Sequence, residues 1–159
     1  MQPTTRSVTG WLLVALQFIL LAGIVVSPRR DAAGAWIAAG AVVAAAGVCV
    51  MGWTFASLGN ALTATPVPRE GAYLRTTGPF ARVRHPIYLG LLLAAWGWVL
   101  AWGGWLTLAC AIALAALLAV KARWEDSMLH AAHGDAWESW AKRTPMIVPR
   151  LARQSGSRP

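Results

Sequence analysis

Residues 96–105 read Trp-Gly-Trp-Val-Leu-Ala-Trp-Gly-Gly-Trp and lie in the middle of an uncharged run from Ile87 to Val120. As one helix, this run of 34 residues would be about 50 Å long, whereas the hydrocarbon core of a bilayer is about 30 Å thick. The centre combines glycines, which break helices, with tryptophans, which favour the lipid–water interface. The sequence therefore predicts a turn at Gly103 and Gly104 between two membrane helices of about 16 residues, each about 24 Å long.

The composition of the whole chain is that of a membrane protein. Of the 159 residues, 57% are hydrophobic and only 13% are charged, which is too apolar for a soluble domain of this size. Two further uncharged runs, 7–28 and 32–68, exceed the length of about 18 apolar residues that marks a membrane span. No clear small-residue cleavage pattern follows the first run, so we expect it to be retained. The predicted fold is an all-α integral membrane protein with four transmembrane helices.

We expect one membrane domain over residues 1–159. Spans three and four form a helical hairpin, and a C-terminal helix lies along the interface. The predicted segments are spans at about 8–26, 34–55, 87–102 and 105–122, a motif loop at 57–86, the C-terminal helix at 124–142, and a disordered tail at 152–159.

Basic residues are distributed unevenly around the predicted spans. Twelve of the 14 Lys and Arg residues fall on the side that carries both termini, and only Arg29 and Arg30 fall on the other. Because Lys and Arg beside membrane spans favour the cytoplasm, we expect both termini and the motif loop to be cytoplasmic, as in a bacterial inner membrane. The net charge of +8 surrounds the spans and forms no separate basic domain, so we expect no nucleic-acid partner.

Two polar motifs flank the predicted hairpin, and the two crossings between them place both on one side of the membrane. Residues 76–90 read Thr-Thr-Gly-Pro-Phe-Ala-Arg-Val-Arg-His-Pro-Ile-Tyr-Leu-Gly, and residues 121–126 read Lys-Ala-Arg-Trp-Glu-Asp. Together with His133-Gly-Asp-Ala-Trp137 and Arg143-Thr-Pro145, these motifs resemble those of the isoprenylcysteine carboxyl methyltransferase and phospholipid methyltransferase superfamily. The resemblance covers about residues 63–150. It implies an integral membrane methyltransferase that uses S-adenosylmethionine and releases S-adenosylhomocysteine.

The resemblance also implies the site residues. A sulfonium cation favours an aromatic face and a carboxylate, which Tyr88 and Glu125 can offer. Carboxyl-methylating relatives carry Arg where this chain has Lys121, and the two side chains differ in bidentate carboxylate recognition. The cofactor-binding residues implied are Ala72, Tyr73, Leu74, Arg75, His85, Pro86, Ile87, Tyr88 and Glu125, and the catalytic residues implied are Glu125, Lys121 and Arg123.

The function expected from this pattern is methyl transfer to a lipophilic acceptor that enters from the bilayer, such as an isoprenylcysteine carboxylate or a phospholipid amine. An NADPH-dependent sterol or steroid reductase has a similar His-Pro-x-Tyr-x-Gly block, usually followed by Glu where this chain has Leu91. A non-catalytic membrane module is the other alternative. The sequence leaves the acceptor and the oligomeric state open.

Three other polar features of the sequence are weighed against simpler roles. His130 and His133 have a helical spacing that suits metal ligands, but no third ligand is apparent, and we expect no metal site. Cys49 and Cys110 lie within apolar spans and are expected to pack as small residues. Gln17 in the first span can serve helix packing or substrate contact, and we expect packing.

Overall fold

A computed structural model of the protein describes residues 3–59 and 74–149. The described residues form five α-helices and one short 3-10 helix, with no strand. These are α1 (Pro3–Val26), α2 (Gly34–Leu58), the 3-10 helix (Gly78–Ala81), α3 (Pro86–Trp102), α4 (Trp105–His133) and α5 (Asp135–Arg143). Part of the predicted motif loop, with Ala72 and Tyr73, and the predicted disordered tail at 152–159 lie outside the described residues.

Three of these helices are long and apolar enough to cross a membrane: α1 over Val8–Val26, α2 and α4. The helix α3 is apolar but has only 17 residues. Many large apolar side chains on the long helices are exposed, including Phe18, Val42 and Leu106, as expected for surfaces that contact lipid. The all-α membrane class is therefore as predicted, whereas the count of four crossings stays a prediction.

The helix break at Gly103 and Gly104 coincides with the predicted turn, but the end of α4 does not match the prediction. The fourth span was expected to end near residue 122, before a separate helix at 124–142. Instead α4 continues without a break through the charged residues 121–126 to His133. Charge sets where the apolar run ends but does not interrupt backbone hydrogen bonds. The break comes at Gly134, which has a φ of 50°, a conformation that favours glycine.

Helices α2 and α3 pack closely because glycines face each other at two levels. A Cβ atom added at Gly40 would lie 2.4 Å from the carbonyl oxygen of Gly97. Two turns further along, a Cβ at Gly47 would lie 2.5 Å from the carbonyl oxygen of Gly90. Small residues of this kind allow the backbones of membrane helices to approach each other. The pairing fixes the position of α3, which begins directly after His85.

The linker between α1 and α2 contacts the end of α3. The backbone N–H of Arg30 donates a hydrogen bond to the carbonyl oxygen of Trp102 at 2.9 Å. The guanidinium of Arg29 lies over the rings of Trp98 and Trp102, at 5.3 and 5.5 Å from their centroids. The α1–α2 linker and the α3–α4 turn therefore lie at the same end of the bundle. Ile24, near the end of α1, packs in a core cluster with residues of α3 and α4, including Ala95, Ala111, Leu114 and Leu118.

Candidate active site

The backbone that leads into α3 is held by the segment after α5. Backbone N–H groups of Arg84 and His85 donate to the carbonyl oxygens of Pro145 and Met146, at 2.9 and 3.0 Å. The indole N–H of Trp140 donates to the carbonyl oxygen of Phe80 at 3.1 Å. These bonds satisfy backbone groups just before α3, where no helix partner is available. They also fix the position of His85.

His85 lies between the two acids of α4. Its Nδ1 is 3.1 Å from Glu125 Oε2, and its Nε2 is 3.0 Å from Asp126 Oδ1. The other carboxylate oxygen of Asp126 is 3.2 Å from Arg84 Nη2. His85 is 7% exposed, so these contacts are largely shielded from water. The start of α3 and the polar part of α4 are thereby joined by a network of four ionisable side chains.

The geometry around His85 favours its doubly protonated form. An ionised carboxylate only accepts hydrogen bonds, so a ring placed between two of them donates from both nitrogens. Burial acts to lower the pKa of His85, but the hydrogen bonds and negative charges of Asp126 and Glu125 outweigh burial, and the pKa is raised. The imidazolium therefore balances one of the two acids.

Tyr88 of α3 and Lys121 of α4 extend this network along the two helices. The Tyr88 hydroxyl donates to Glu125 Oε1 at 2.5 Å, and its ring stacks on the His85 ring at 5.4 Å between centroids. Lys121 Nζ lies 5.1 Å from the centroid of the Tyr88 ring. It also donates to Gln17 Oε1 of α1 at 2.7 Å. Helices α1, α3 and α4 therefore contribute to one polar site, and we call His85, Tyr88, Lys121, Glu125 and Asp126 the polar cluster.

The structure brings together some of the predicted site residues and separates others. His85, Tyr88, Lys121 and Glu125 lie in the polar cluster. Pro86 is the first residue of α3 and is buried, Ile87 packs against the hydrophobic core, and Leu74 is half-buried. Arg75 and Arg123 lie elsewhere.

Arg75 caps helix α2, and Arg123 is exposed. The guanidinium of Arg75 donates to the carbonyl oxygens of Ser57 and Leu58, at 2.7 and 3.4 Å, where helix carbonyls lack partners of their own. Arg123 is two residues from Lys121 and therefore about 200° round the helix. Lys121 is 3% exposed, so Arg123 points away from the cluster. The catalytic role predicted for Arg123 has no support from this placement.

Four residues of the site were not among those predicted from the sequence: Arg84, Asp126, Gln17 and Trp137. Arg84 pairs with Asp126, and its guanidinium lies 5.3 Å from the centroid of the Trp137 ring. Arg84 Nε and Trp137 Nε1 are buried and have no hydrogen-bond partner. Buried donors are normally satisfied.

His130, one of the two histidines with metal-ligand spacing, contacts side chains of α5. His130 Nε2 lies 3.2 Å from Glu138 Oε1, and its ring packs on Trp137 at 5.1 Å. This contact joins α4 to α5. Across residues 3–59 and 74–149, there is no group of three or more His, Cys, Asp or Glu residues that could hold a metal ion.

Comparison with known proteins identifies the family. Residues 35–136 match the family model described as phospholipid methyltransferase. The chain belongs to the phospholipid methyltransferase family. The superfamily resemblance of the two motifs is thereby confirmed, and the matched range includes the polar cluster. Helix α1, with Gln17, precedes that range.

Three curated relatives are similar to parts of the chain. Methanethiol S-methyltransferase 2 of Bradyrhizobium diazoefficiens is 37% identical over 82 residues, which are 52% of this chain and 31% of the relative. Methanethiol S-methyltransferase of Crocosphaera subtropica is 28% identical over 81 residues, which are 51% and 31%. Nickel-cobalt-cadmium resistance protein NccN of Alcaligenes xylosoxydans xylosoxydans is 32% identical over 151 residues, 93% of this chain and 67% of the relative. The chain thus spans under a third of the length of either S-methyltransferase.

Proposed function

We propose that the protein transfers a methyl group from S-adenosylmethionine to a lipophilic acceptor at the membrane boundary. The observation that carries this proposal is the polar cluster itself. It sits at the end of apolar helices, includes a buried ammonium group and two carboxylates, and lies within the range matched to a methyltransferase family. Such a cluster is a functional candidate because charged groups beside membrane spans are costly.

The residues present fit the cofactor. Bound S-adenosylmethionine supplies an electrophilic methyl group on a sulfonium and becomes S-adenosylhomocysteine when that group is lost. The aromatic face of Tyr88 and the carboxylate of Glu125 would hold positive charge. The two unpaired donors, Arg84 Nε and Trp137 Nε1, would donate to the cofactor's carboxylate or hydroxyl oxygens. His85 would orient Glu125, since it already binds that carboxylate at 3.1 Å.

Lys121 is the residue we propose to face the acceptor. Its ammonium is buried between α1, α3 and α4, where it would stabilise an anionic nucleophile such as a thiolate or a carboxylate. The fork of an arginine matches the two oxygens of a carboxylate, whereas a lysine presents a single point charge. We therefore propose a lipophilic thiol, with one reacting atom, as the acceptor. Two of the similar proteins are named methanethiol S-methyltransferases, which supports this choice.

In the proposed reaction, the acceptor sulfur forms a bond to the methyl carbon while the carbon–sulfur bond of the donor breaks. The electrons of the broken bond stay on the donor sulfur, which becomes a neutral thioether. The thiol proton passes to solvent water before or during transfer, and the field of the Lys121 ammonium favours its loss. The protein's contribution is mainly positioning and exclusion of water.

A radiochemical assay tests this proposal. Purified protein in lipid nanodiscs is supplied with methyl-labelled S-adenosylmethionine and one of three acceptors: a long-chain alkanethiol, a farnesylcysteine carboxylate, or phosphatidylethanolamine. We expect label on the thiol. Lys121→Met should strongly reduce this transfer while leaving a measurable residual rate, whereas the matched control Arg123→Met removes an exposed charge from the same helix and should retain the full rate.

Each contrary result of this assay has a definite meaning. Transfer to the carboxylate or the amine alone would refute the thiol assignment. Absence of S-adenosylmethionine binding would refute the methyltransferase proposal, and binding of NADPH instead would favour a reductase.

We further propose a topology in which α3 is the third of four crossings of a single membrane domain, with the polar cluster and both termini in the cytoplasm. The contacts of Arg29 and Arg30 with the end of α3 support placing the α1–α2 linker and the α3–α4 turn together, on the side of the membrane opposite the polar cluster. Cysteine labelling tests it in a chain freed of Cys49 and Cys110. Gly104→Cys, whose Cβ would meet only a Pro28 carbonyl oxygen at 3.7 Å, and the exposed Ser127→Cys should label from opposite sides. Labelling from the same side would refute the topology.

A further inference from the structure

The strongest contact between α1 and the polar cluster is the hydrogen bond from Lys121 Nζ to Gln17 Oε1, at 2.7 Å. The two residues are 104 positions apart in the sequence, and Gln17 lies before the range matched to the family. Lys121 is 3% exposed. The contact joins residues that are distant in sequence, so it depends on how α1 and α4 pack in this chain.

Gln17 is a lone polar side chain on its face of α1. Residues one turn before and after it on the helix are apolar: Leu13, Val14, Leu20 and Leu21. Val14 is buried, and Leu20 and Leu21 pack against the hydrophobic core cluster. An amide placed in such surroundings costs free energy unless it is hydrogen-bonded. Its hydrogen bond with Lys121 therefore joins α1 to α4 at one defined position along the two helices.

The pairing restricts where the ammonium can lie. A lysine side chain is flexible, and its charged end can take many positions. Here Gln17 holds Nζ from the α1 side, and the Tyr88 ring lies beneath it at 5.1 Å from the centroid. An ammonium has three donors. Within the described residues, Lys121 Nζ donates one hydrogen bond, to Gln17. Its other N–H donors can therefore bind a ligand.

We propose that Gln17 is a positioning residue that sets the acceptor specificity of the enzyme through Lys121. The acceptor class is a lipophile whose reacting group is anionic and binds at Lys121. This inference rests on the proposed function. It adds that α1, outside the family-matched range, contributes Gln17 to the acceptor site.

Kinetics of four variants test the proposal: Gln17→Leu, Lys121→Met, the double variant, and Val14→Ala. Gln17→Leu keeps the size of the side chain but removes the acceptor of the hydrogen bond. We expect its kcat/KM for the long-chain thiol to fall about tenfold, as for loss of one charged hydrogen bond. The Kd for S-adenosylmethionine, measured by calorimetry, should stay within about twofold of that of the wild type, because Gln17 acts on the acceptor side.

The double variant and the control separate positioning from packing. If Gln17 acts through Lys121, then Gln17→Leu has no further effect in the Lys121→Met background. Val14→Ala, one turn away, removes buried apolar contacts and should lower the Tm while leaving kcat/KM for the thiol intact.

Three results would overturn the inference while the proposed function stands: wild-type kcat/KM in Gln17→Leu, equal additional losses in both backgrounds, or a matching loss of cofactor affinity. If the wild-type protein methylates no acceptor, the proposed function fails, and the inference fails with it.

Discussion

The glycine contact between α2 and α3 gives a prediction whose size follows from distances. A Cβ atom at Gly47 would lie 2.5 Å from the carbonyl oxygen of Gly90 and 2.7 Å from the backbone nitrogen of Ala94. Both neighbours are backbone atoms of a helix, so neither can rotate away. Since ordinary contacts of this type need about 3.5 Å, Gly47→Ala requires the two helices to separate by about 1 Å.

The cost of that separation can be isolated with a control on the same helix. Overpacking of a close contact costs about 1–3 kcal/mol, whereas replacing a helical glycine with alanine gains about 1 kcal/mol of helix propensity. A Cβ added at Gly52 meets nothing within 4 Å, so Gly52→Ala should show the gain alone. The two variants should therefore differ by the steric cost, about 1–3 kcal/mol, with Gly47→Ala the less stable.

Thermal unfolding in one detergent measures this difference. For a chain of this size, 1 kcal/mol corresponds to about 2–4 °C in Tm, so the two Tm values should differ by about 2–12 °C. Gly47→Ala should also lower S-adenosylmethionine binding, because Gly90 is two residues from Tyr88 and its displacement moves the start of α3. A Tm for Gly47→Ala equal to or above that of Gly52→Ala would refute the close packing of these helices.

Three further predictions concern the polar cluster. The pKa of His85 is raised, so its protonation stabilises the folded state fully below the ordinary pKa of 6.5, and this stabilisation is lost as the pH rises through the folded-state pKa. The Tm should therefore fall as the pH is raised across this range. In His85→Gln, that part of the dependence of Tm on pH should be flatter. Asp126→Asn should lower the free energy of unfolding by about 2–3 kcal/mol, somewhat less than the loss of one partner of a fully buried ion pair, and should lower the Tm accordingly. The control Asp135→Asn, at an exposed position, should leave the Tm unchanged. Glu125→Ala should weaken calorimetric binding of S-adenosylmethionine about tenfold, whereas the exposed-face control Glu138→Ala should not; equal effects of the two variants would argue against a cofactor site at Glu125.

The parts of this fold that were predictable from the sequence are those decided by local composition. Uncharged runs locate the apolar helices, and two adjacent glycines between tryptophans locate the break after Trp102. The end of α4 was not predictable in this way, because a helix continues through charged residues as long as no residue interrupts its hydrogen bonds. The helix ends at Gly134, but the prediction gave more weight to the charged residues 121–126 than to this glycine.

The candidate site shows the same limit at the level of side chains. Membrane crossings alone suggested that His85 and Glu125 share a side, but they do not determine which nitrogen faces which acid. Lys121 and Arg123 lie on nearly opposite faces of α4. The positions of α1, which supplies Gln17, and of α3, which supplies Tyr88, decide that Lys121 is the residue turned inward. Choices of this kind depend on contacts between residues distant in sequence, and local patterns carry no information about them.

The hydrogen bonds from Arg84 and His85 to Pro145 and Met146 have a consequence for biosynthesis. Translation proceeds from the N-terminus, so all the apolar helices are made before the segment that holds the backbone in front of α3. Until that segment emerges, the two N–H groups lack these protein partners, and the site entrance is not yet fixed. The order of synthesis therefore delays completion of the site until the membrane helices have been made. A nascent chain released before residue 145 should insert its helices yet be unable to form the finished site.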